Sequence, residues 1–202
     1  MNKINVVRFE NPYKKANTYI IEAGNCEVII VDLGNYPIAD LLKWLKTNNK
    51  ELIGLFLTHE HLDHCYGVDL LKAKLEFTLY CSAMCEINMR NSKQNFSRYI
   101  EEFETFVVKS DATVIKDGQI LSIGNVEVKI IETPGHSPGS ICILIDEIIF
   151  TGDTLLNNVK TTLNFTHSSK KDFQKSRKKI LKYLTSNTKI YPGHGTPFKI
   201  KF

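Results

Sequence analysis

The segment Leu55–Gly67, LFLTHEHLDHCYG, contains three of the chain's six histidines together with Asp63. An apolar run precedes the histidines, which indicates that a buried strand ends where His59 begins. In an extended or turning backbone, residues two apart point to the same side, so His59 and His61 can converge on one ion. Asp63 and His64 come later in the turn and are expected to point toward a neighbouring position.

Three further candidate ligands follow predicted strands in loops that contain glycine or proline. They are His136 in TPGHSPGS, Asp153 in FTGDTL and His194 in YPGHG. Loops of this kind can bring side chains from different strands together at one edge of a sheet. His167 lies outside the pattern, and we expect it to have no role in the site.

The candidate ligands are too many for a single ion. A catalytic zinc ion with an open position needs three protein ligands, whereas this chain offers seven. Two ions are therefore expected. The first would lie in a three-histidine cluster, formed by His59, His61 and His136. The second would lie in a mixed cluster, formed by Asp63, His64 and His194, and Asp153 would bridge the two. The histidine-rich set favours zinc, although iron and manganese occupy similar sites.

Two such ions predict hydrolytic chemistry through a metal-bridging hydroxide. A metal lowers the pKa of bound water from about 15.7 toward roughly 7, and it polarises a carbonyl or phosphoryl oxygen. A serine nucleophile is not required, and the sequence has no GxSxG motif. Asp63 or Asp153 is expected to hold the hydroxide in line and accept its proton. The predicted reaction is hydrolysis of an ester, thioester or amide.

Hydrophobic periodicity predicts the elements that position these side chains. Helices are expected at Ile38–Thr47, at Tyr66–Lys74 directly after the histidine segment, and from about Lys171 to Thr185. Because strands occur in both halves and helices follow them, we expect a layered sandwich of sheets flanked by helices. The predicted strands are Ile4–Phe9, Thr18–Ala23, Glu27–Asp32, Leu52–Leu57, Phe77–Cys81, Thr113–Lys116, Gln119–Ile123, Val126–Glu132, Ser140–Asp146, Glu147–Thr151 and Lys189–Tyr191.

Composition narrows the class of partner and the compartment. The chain has 202 residues, which suits one domain. A net charge of +4, from 26 basic and 22 acidic residues, favours neither a nucleic acid nor a membrane, and a small-molecule substrate is expected. Five cysteines without a CxxC pair, and a start without the apolar core of a signal peptide, predict a cytoplasmic protein.

The segment 84–106 is polar at first and then aromatic. Its length predicts a lid-like excursion over the active-site groove. A plain pair of surface helices is an equal alternative.

The motif HxHxDH at 59–64, followed in order by TPGHSPGS, FTGDTL and PGHG, resembles the metallo-β-lactamase-fold hydrolases. It is most similar to the small relatives of glyoxalase II (hydroxyacylglutathione hydrolase). The resemblance implies an α/β (α+β) single domain over residues 1–202, built as a four-layer αββα sandwich, and it agrees with the two clusters above. Asp32, in the matching VDLG turn, would orient a ligand loop by hydrogen bonds without binding metal.

By the same resemblance, the favoured substrate is a small thioester or ester. Full-length glyoxalase II grips glutathione with a C-terminal helical domain, whereas this chain ends eight residues after His194. Candidate substrate contacts are Lys160, Asn164 and Phe165, which follow GDTL, and Asn95 in the segment NSKQNFSRY.

Other activities occur on related proteins. The principal alternative is a mononuclear-iron sulfur dioxygenase, which uses fewer ligands for its metal than the seven found here. A lactonase or phosphodiesterase of the same fold is also an alternative. Nucleases of the RNase Z or β-CASP type carry RNA-binding insertions that this sequence does not show, and a non-catalytic metal-binding module would lack a ligand. A β-lactamase is disfavoured because GDTL and PGHG have glyoxalase-like surroundings.

Overall fold

The computed structural model describes residues 4–200, and the strands in this range form two sheets. The first sheet has the order β1-β2-β3-β4-β5-β6 and the second has the order β11-β10-β9-β8-β7. The strands are β1 (Val6–Glu10), β2 (Asn17–Glu22), β3 (Glu27–Val31), β4 (Glu51–Phe56), β5 (Thr78–Ser82), β6 (Thr113–Ile115), β7 (Ile120–Ile123), β8 (Val126–Glu132), β9 (Ile141–Ile145), β10 (Ile148–Gly152) and β11 (Lys189–Pro192).

Strand β3 shows how the layers are built. Its side chains alternate between the two faces of the first sheet, as the pleat of a strand requires. Ile29 and Val31 pack against the second sheet, whereas Val28 and Ile30 pack against helices on the other face. Burial on both faces explains why β3 is apolar along nearly its whole length.

Helices cover the outer face of each sheet. Those on the first sheet are α1 (Ile38–Thr47), α2 (Leu62–Cys65), α3 (Val68–Lys72) and α4 (Ala83–Met89). The last helix, α5 (Lys170–Leu181), packs Ile180 against Ile149 and Ile190 of the second sheet. The predicted four-layer αββα sandwich in a single domain is therefore confirmed. No helix within residues 4–200 combines the length and apolar character needed to cross a bilayer.

The helix predicted at Tyr66–Lys74 begins earlier and is divided in two. Helix α2 starts at Leu62 because the N–H groups of His64 and Cys65 donate to the His61 carbonyl, at 2.9 and 3.1 Å. Gly67 then separates α2 from α3. A Cβ at Gly67 would lie 2.7 Å from the Gly34 carbonyl oxygen, so only glycine allows this close approach.

Parallel pairing explains why the predicted ligands share one edge of the molecule. Strand β3 pairs in parallel with β4, and β10 pairs in parallel with β11. The carboxyl ends of parallel strands lie side by side, and the loops that follow them meet. Asp32 and His59 follow the first pair of strands, while Asp153 and His194 follow the second.

The segment 84–106 contains the end of α4 and a single 3-10 turn, Ser97–Tyr99. The alternative of two surface helices is therefore wrong, because the described residues of this segment form one α-helix and one 3-10 turn. Phe96, directly before the 3-10 turn, has a left-handed backbone with φ 67°. This conformation is uncommon for an aromatic residue.

Candidate metal centre

The three-histidine cluster is fully formed and buried. His61 Nδ1 lies 3.1 Å from His59 Nε2 and 3.1 Å from His136 Nε2. Zinc–nitrogen bonds of about 2.0–2.1 Å in a tetrahedral site place two ligand nitrogens about 3.3 Å apart. The nitrogen spacing in this cluster therefore suits one metal ion.

The mixed cluster lies next to it, and Asp153 reaches both. His194 Nε2 is 3.5 Å from Asp63 Oδ2 and 3.5 Å from Asp153 Oδ2. The other oxygen of Asp153 lies 3.7 Å from His64 Nε2, and its Oδ2 lies 3.5 Å from His136 Nε2. All seven predicted ligands are thus brought together, in overlapping groups of three whose ligand atoms lie within 4.8 Å of one another.

Two buried atoms at the junction of the clusters support a metal here. His64 Nε2 and Asp153 Oδ1 are shielded from solvent and have no hydrogen-bond partner among the described residues. Buried polar atoms are almost always paired, so such an atom calls for a partner such as a bound ion or water. Gly193 leaves room beside them, because a Cβ at this position would meet Asp153 Oδ1 and the His64 ring. The residues present therefore fit divalent metals.

Asp32 contacts a ligand and the ligand loop without joining either cluster. Its carboxylate accepts hydrogen bonds from the N–H and the Oγ1 of Thr58, both at 2.7 Å. It also accepts from His64 Nδ1 at 2.8 Å. A carboxylate behind a ligand histidine sets the tautomer and orientation of the ring. This placement is the one proposed for Asp32 from the sequence.

The second ring nitrogen of each other ligand histidine also has a partner. Three of these partners are oxygen atoms: Thr58 Oγ1 for His59 at 3.0 Å, the Thr162 carbonyl for His136 at 2.9 Å, and the Lys14 carbonyl for His194 at 3.0 Å. The partner of His61 is different, because its Nε2 lies 3.1 Å from Nε2 of His167.

The sequence predicted no role for His167 in the site, but the structure places its ring directly behind a predicted ligand. His167 is half-buried and contacts a predicted ligand from 106 positions further along the chain. Neither a strand end nor a glycine turn immediately precedes it, so the pattern that singled out the other five histidines could not find it. Its burial, followed by the neighbouring His136, lowers its pKa.

Glu60 points away from the metal clusters and supports their loops instead. Its carboxylate accepts hydrogen bonds from Asn88 Nδ2 and Ser137 Oγ, both at 2.9 Å. Ser137 directly follows His136, so Glu60 ties the 59–64 loop to the loop of another ligand. Burial raises the pKa of the Glu60 carboxyl.

The pKa shifts of the ligand histidines differ between the two clusters. Burial, followed by the neighbouring imidazoles, lowers the pKa values of His59 and His61 well below the ordinary value. Burial also opposes charge on His64, but Asp32 and Asp63 outweigh it and raise the pKa of His64 to about 10. Burial also opposes charge on the carboxyl of Asp63, yet His64 and His194 lower its pKa.

A cavity of about 510 Å³ opens onto the ligands of both clusters. Aromatic and aliphatic side chains form much of its wall, and two lysines, Lys14 and Lys160, also line it. The apolar part of the wall is formed by Tyr13, Leu62, Phe96, Tyr99, Ile100, Leu156, Val159 and Phe165.

Two of the four predicted substrate contacts line this cavity, namely Lys160 and Phe165. Asn164 is exposed and is not part of the wall. Asn95 is fully buried: its amide donates to the Phe106 carbonyl at 3.0 Å and accepts from the Ser97 N–H at 2.8 Å. The prediction that Asn95 contacts the substrate is therefore wrong. Its side chain is buried and its hydrogen bonds stabilise the 84–106 segment.

The 84–106 segment does form part of the wall over the clusters, through Phe96, Tyr99 and Ile100. The Phe96 ring packs against the His61 ring, with centroids 4.7 Å apart and ring planes inclined by 55°. Opening and closing of this segment as a lid stays a prediction.

A two-sheet sandwich with a histidine and aspartate cluster at the carboxyl ends of its strands defines a class of metalloproteins. Residues 13–194 match the model of the metallo-beta-lactamase superfamily, and the chain belongs to this superfamily. Membership together with the cluster indicates a metal-dependent hydrolase.

Individual relatives are similar over most of the chain. The probable polyketide biosynthesis zinc-dependent hydrolase PksB of Bacillus subtilis (strain 168) is 28% identical over 176 residues, which are 87% of this chain and 71% of PksB. Among solved structures, the BLEG-1 B3 metallo-beta-lactamase superimposes with a TM-score of 0.89 at 22% identity, over 96% of this chain and 94% of BLEG-1. TTHA1623 in a di-iron-bound form gives a TM-score of 0.83 at 22% identity, with the same coverage of 96% and 94%.

Proposed function

We propose that the protein is a binuclear metal-dependent hydrolase of small thioesters or esters, with zinc as the preferred metal. The observation that carries the proposal is the position of Asp153. Its two carboxylate oxygens lie within 3.7 Å of ligand nitrogens from both clusters. A carboxylate in this position can be shared by two cations.

The metals would supply a water of lowered pKa and would polarise the carbonyl of the substrate. The protein's own residues supply orientation and proton transfer. Asp63 and Asp153 both line the cavity floor, where a carboxylate can hold the attacking water and accept its proton. The low pKa of Asp63 keeps its carboxylate ionised and therefore able to accept a hydrogen bond.

The cavity wall favours an acyl group with an apolar part. Phe96 and Phe165 lie with ring centroids 4.6 Å apart and form an aromatic surface beside His61. A flat acyl or aromatic group could pack on this surface while its carbonyl faces the clusters. Lys14 and Lys160 would attract an anionic part of the same substrate, such as a carboxylate or phosphate on the leaving thiol.

Zinc is supported by the histidine-rich ligands and by the similarity to PksB, which is described as a zinc-dependent hydrolase. The di-iron-bound form of TTHA1623 makes iron the alternative to be measured. The preference for a thioester rests on the resemblance of the motifs to glyoxalase II.

A hydrolase screen tests this proposal. The protein loaded separately with zinc, iron and manganese would be assayed with S-lactoylglutathione, other acyl thioesters, esters, lactones and phosphodiesters, and metal content would be measured by mass spectrometry. We expect about two ions per chain and the fastest turnover with a thioester or ester. Oxygen uptake with glutathione persulfide at one iron per chain, without hydrolysis, would instead establish the dioxygenase alternative.

A further inference from the structure

His61 stands apart from the other four ligand histidines in what lies behind its ring. Those four face oxygen atoms, which can accept the N–H that a metal-binding imidazole carries on its second nitrogen. His61 Nε2 faces the Nε2 of another imidazole, that of His167. An imidazole nitrogen accepts a hydrogen bond only when it carries no proton, so the tautomer of His167 matters.

The tautomer of His167 is set by Gln94. Its amide oxygen Oε1 lies 2.8 Å from His167 Nδ1, and a carbonyl oxygen can only accept, so Nδ1 carries the proton. In the neutral ring, Nε2 of His167 is then a lone pair, and it accepts the Nε2–H of His61. This leaves His61 Nδ1 unprotonated and facing the other two nitrogens of the three-histidine cluster at 3.1 Å.

The reverse arrangement would block the site. If the Gln94 amide presented its NH₂ group, His167 would be protonated on Nε2, and His61 would have to accept at its own Nε2. The proton of His61 would then sit on Nδ1 and point into the three-histidine cluster, where a metal ligand needs a lone pair. Only one orientation of the Gln94–His167 pair is compatible with metal binding by His61.

Aromatic rings hold this pair in place beside the cavity. The Phe96 ring packs against both His61 and His167, with centroid distances of 4.7 and 5.0 Å. The His61 and His167 rings are inclined by 31° with centroids 5.4 Å apart. Phe96 adopts its left-handed backbone here, which indicates that the surrounding packing maintains an uncommon conformation.

We propose that Gln94 and His167 are positioning residues that select the metal-binding tautomer of His61. The inference rests on the metal-binding part of the proposed function and is independent of the substrate. It extends the site to two residues that contribute no ligand themselves.

The test is a titration of metal-free protein with cobalt(II), followed by visible absorption and by competition with a chelator. For His167→Leu, we expect binding at the three-histidine cluster to weaken about 10- to 100-fold, as for other residues behind metal ligands, and the absorption of the first equivalent to change. His167→Gln should restore most of the affinity, because its amide oxygen can accept from His61 Nε2. A purely structural role for His167 would not produce this rescue.

Gln94→Leu is the second variant, and it keeps the His167 ring while removing control of its tautomer. A loss of affinity smaller than that of His167→Leu is expected. Thr166→Val, at an exposed neighbouring position, is the matched control and should titrate like the unsubstituted protein. Circular dichroism would verify that each variant is folded.

The inference is overturned if folded His167→Leu and Gln94→Leu bind cobalt with unchanged affinity and absorption. Failure of the unsubstituted protein to bind cobalt would overturn both this inference and the proposed hydrolase. Tight binding with the expected variant effects, but without hydrolysis of any thioester or ester, would overturn the substrate assignment alone.

Discussion

The three-histidine cluster and the mixed cluster are adjacent, yet they balance charge in opposite ways. In the first, burial lowers the pKa values of His59 and His61. The second contains Asp63, and its His64 is flanked by Asp32, so the pKa of His64 rises to about 10. The raised pKa of His64 favours a proton on this ring in the metal-free protein, beside the carboxylates of the mixed cluster.

Because of this difference, the free energy of binding a metal ion is expected to be opposed by a different effect in each cluster. An ion entering the mixed cluster must displace the proton from His64, which couples binding to pH. An ion entering the three-histidine cluster brings charge into a buried set of imidazoles. Asp153 Oδ2, 3.5 Å from His136 Nε2, can offset part of that charge.

Replacing the shared residue should have the largest effect. Asp153→Ala is expected to abolish hydrolysis and to reduce metal content at both clusters, because its carboxylate lies within 3.7 Å of ligand nitrogens in each of them, while the fold survives. Turnover and metal content by mass spectrometry are the measurements. Asp146→Asn is the control, since Asp146 is exposed on the same hairpin and its left-handed backbone, φ 50°, suits asparagine. Retained turnover in Asp153→Ala would contradict a mechanism that needs both metals.

The comparison of His61→Ala with His194→Ala would separate the clusters. His61 is buried, whereas the His194 side chain is 25% exposed, so water can replace it as a ligand more readily. We expect His61→Ala to abolish hydrolysis and lose about one ion per chain. His194→Ala should keep the ion of the three-histidine cluster, and because water can take the place of the lost ligand it should also keep part of the second ion and measurable activity. Equal metal loss in both variants would show that the clusters fill as one unit.

Asp32→Asn tests the carboxylate behind the mixed cluster. Asn tolerates the left-handed backbone of position 32, φ 57°, so the change acts mainly on charge. Metal affinity at the mixed cluster should fall about 10- to 100-fold, with little change at the three-histidine cluster. Stepwise cobalt titration measures both, and Asp40→Asn, on the exposed face of α1, is the control. A loss confined to the three-histidine cluster would refute the assigned contact.

Glu60→Ala should have the smallest effect on chemistry and act mainly on stability. It leaves the buried Asn88 Nδ2 without this acceptor and removes one of two partners of Ser137 Oγ, which keeps Ser140 Oγ at 2.9 Å. The loss of the buried acceptor costs about 1–3 kcal/mol of unfolding free energy. Denaturant unfolding of the metal-free protein measures the loss. Glu60→Gln keeps an acceptor for Asn88 and should lose less. Equal stability of both variants and the unsubstituted protein would show that Glu60 does not support the loops.

Local periodicity predicted much of the fold because burial in a sandwich is repetitive. The structure has α1 at Ile38–Thr47 and β8 at Val126–Glu132, the ranges expected from the sequence. The prediction failed at α2, where a turn closed by the His61 carbonyl begins inside the ligand motif. Polar ligands interrupt the apolar pattern there, so periodicity gives no signal of a helix.

The sequence by itself determined which donor atoms are available and that they follow strands, since residue type and local spacing carry that information. Only the tertiary structure decided that Asp153 lies between two clusters, that the cavity wall is largely aromatic and aliphatic, and that Gln94 and His167 stand behind His61. Each of these depends on contacts between residues far apart in sequence. His61 and His167, for example, are separated by 106 positions. Hydrogen bonds across such distances are set by how the sheets and loops pack, which local residue patterns do not encode.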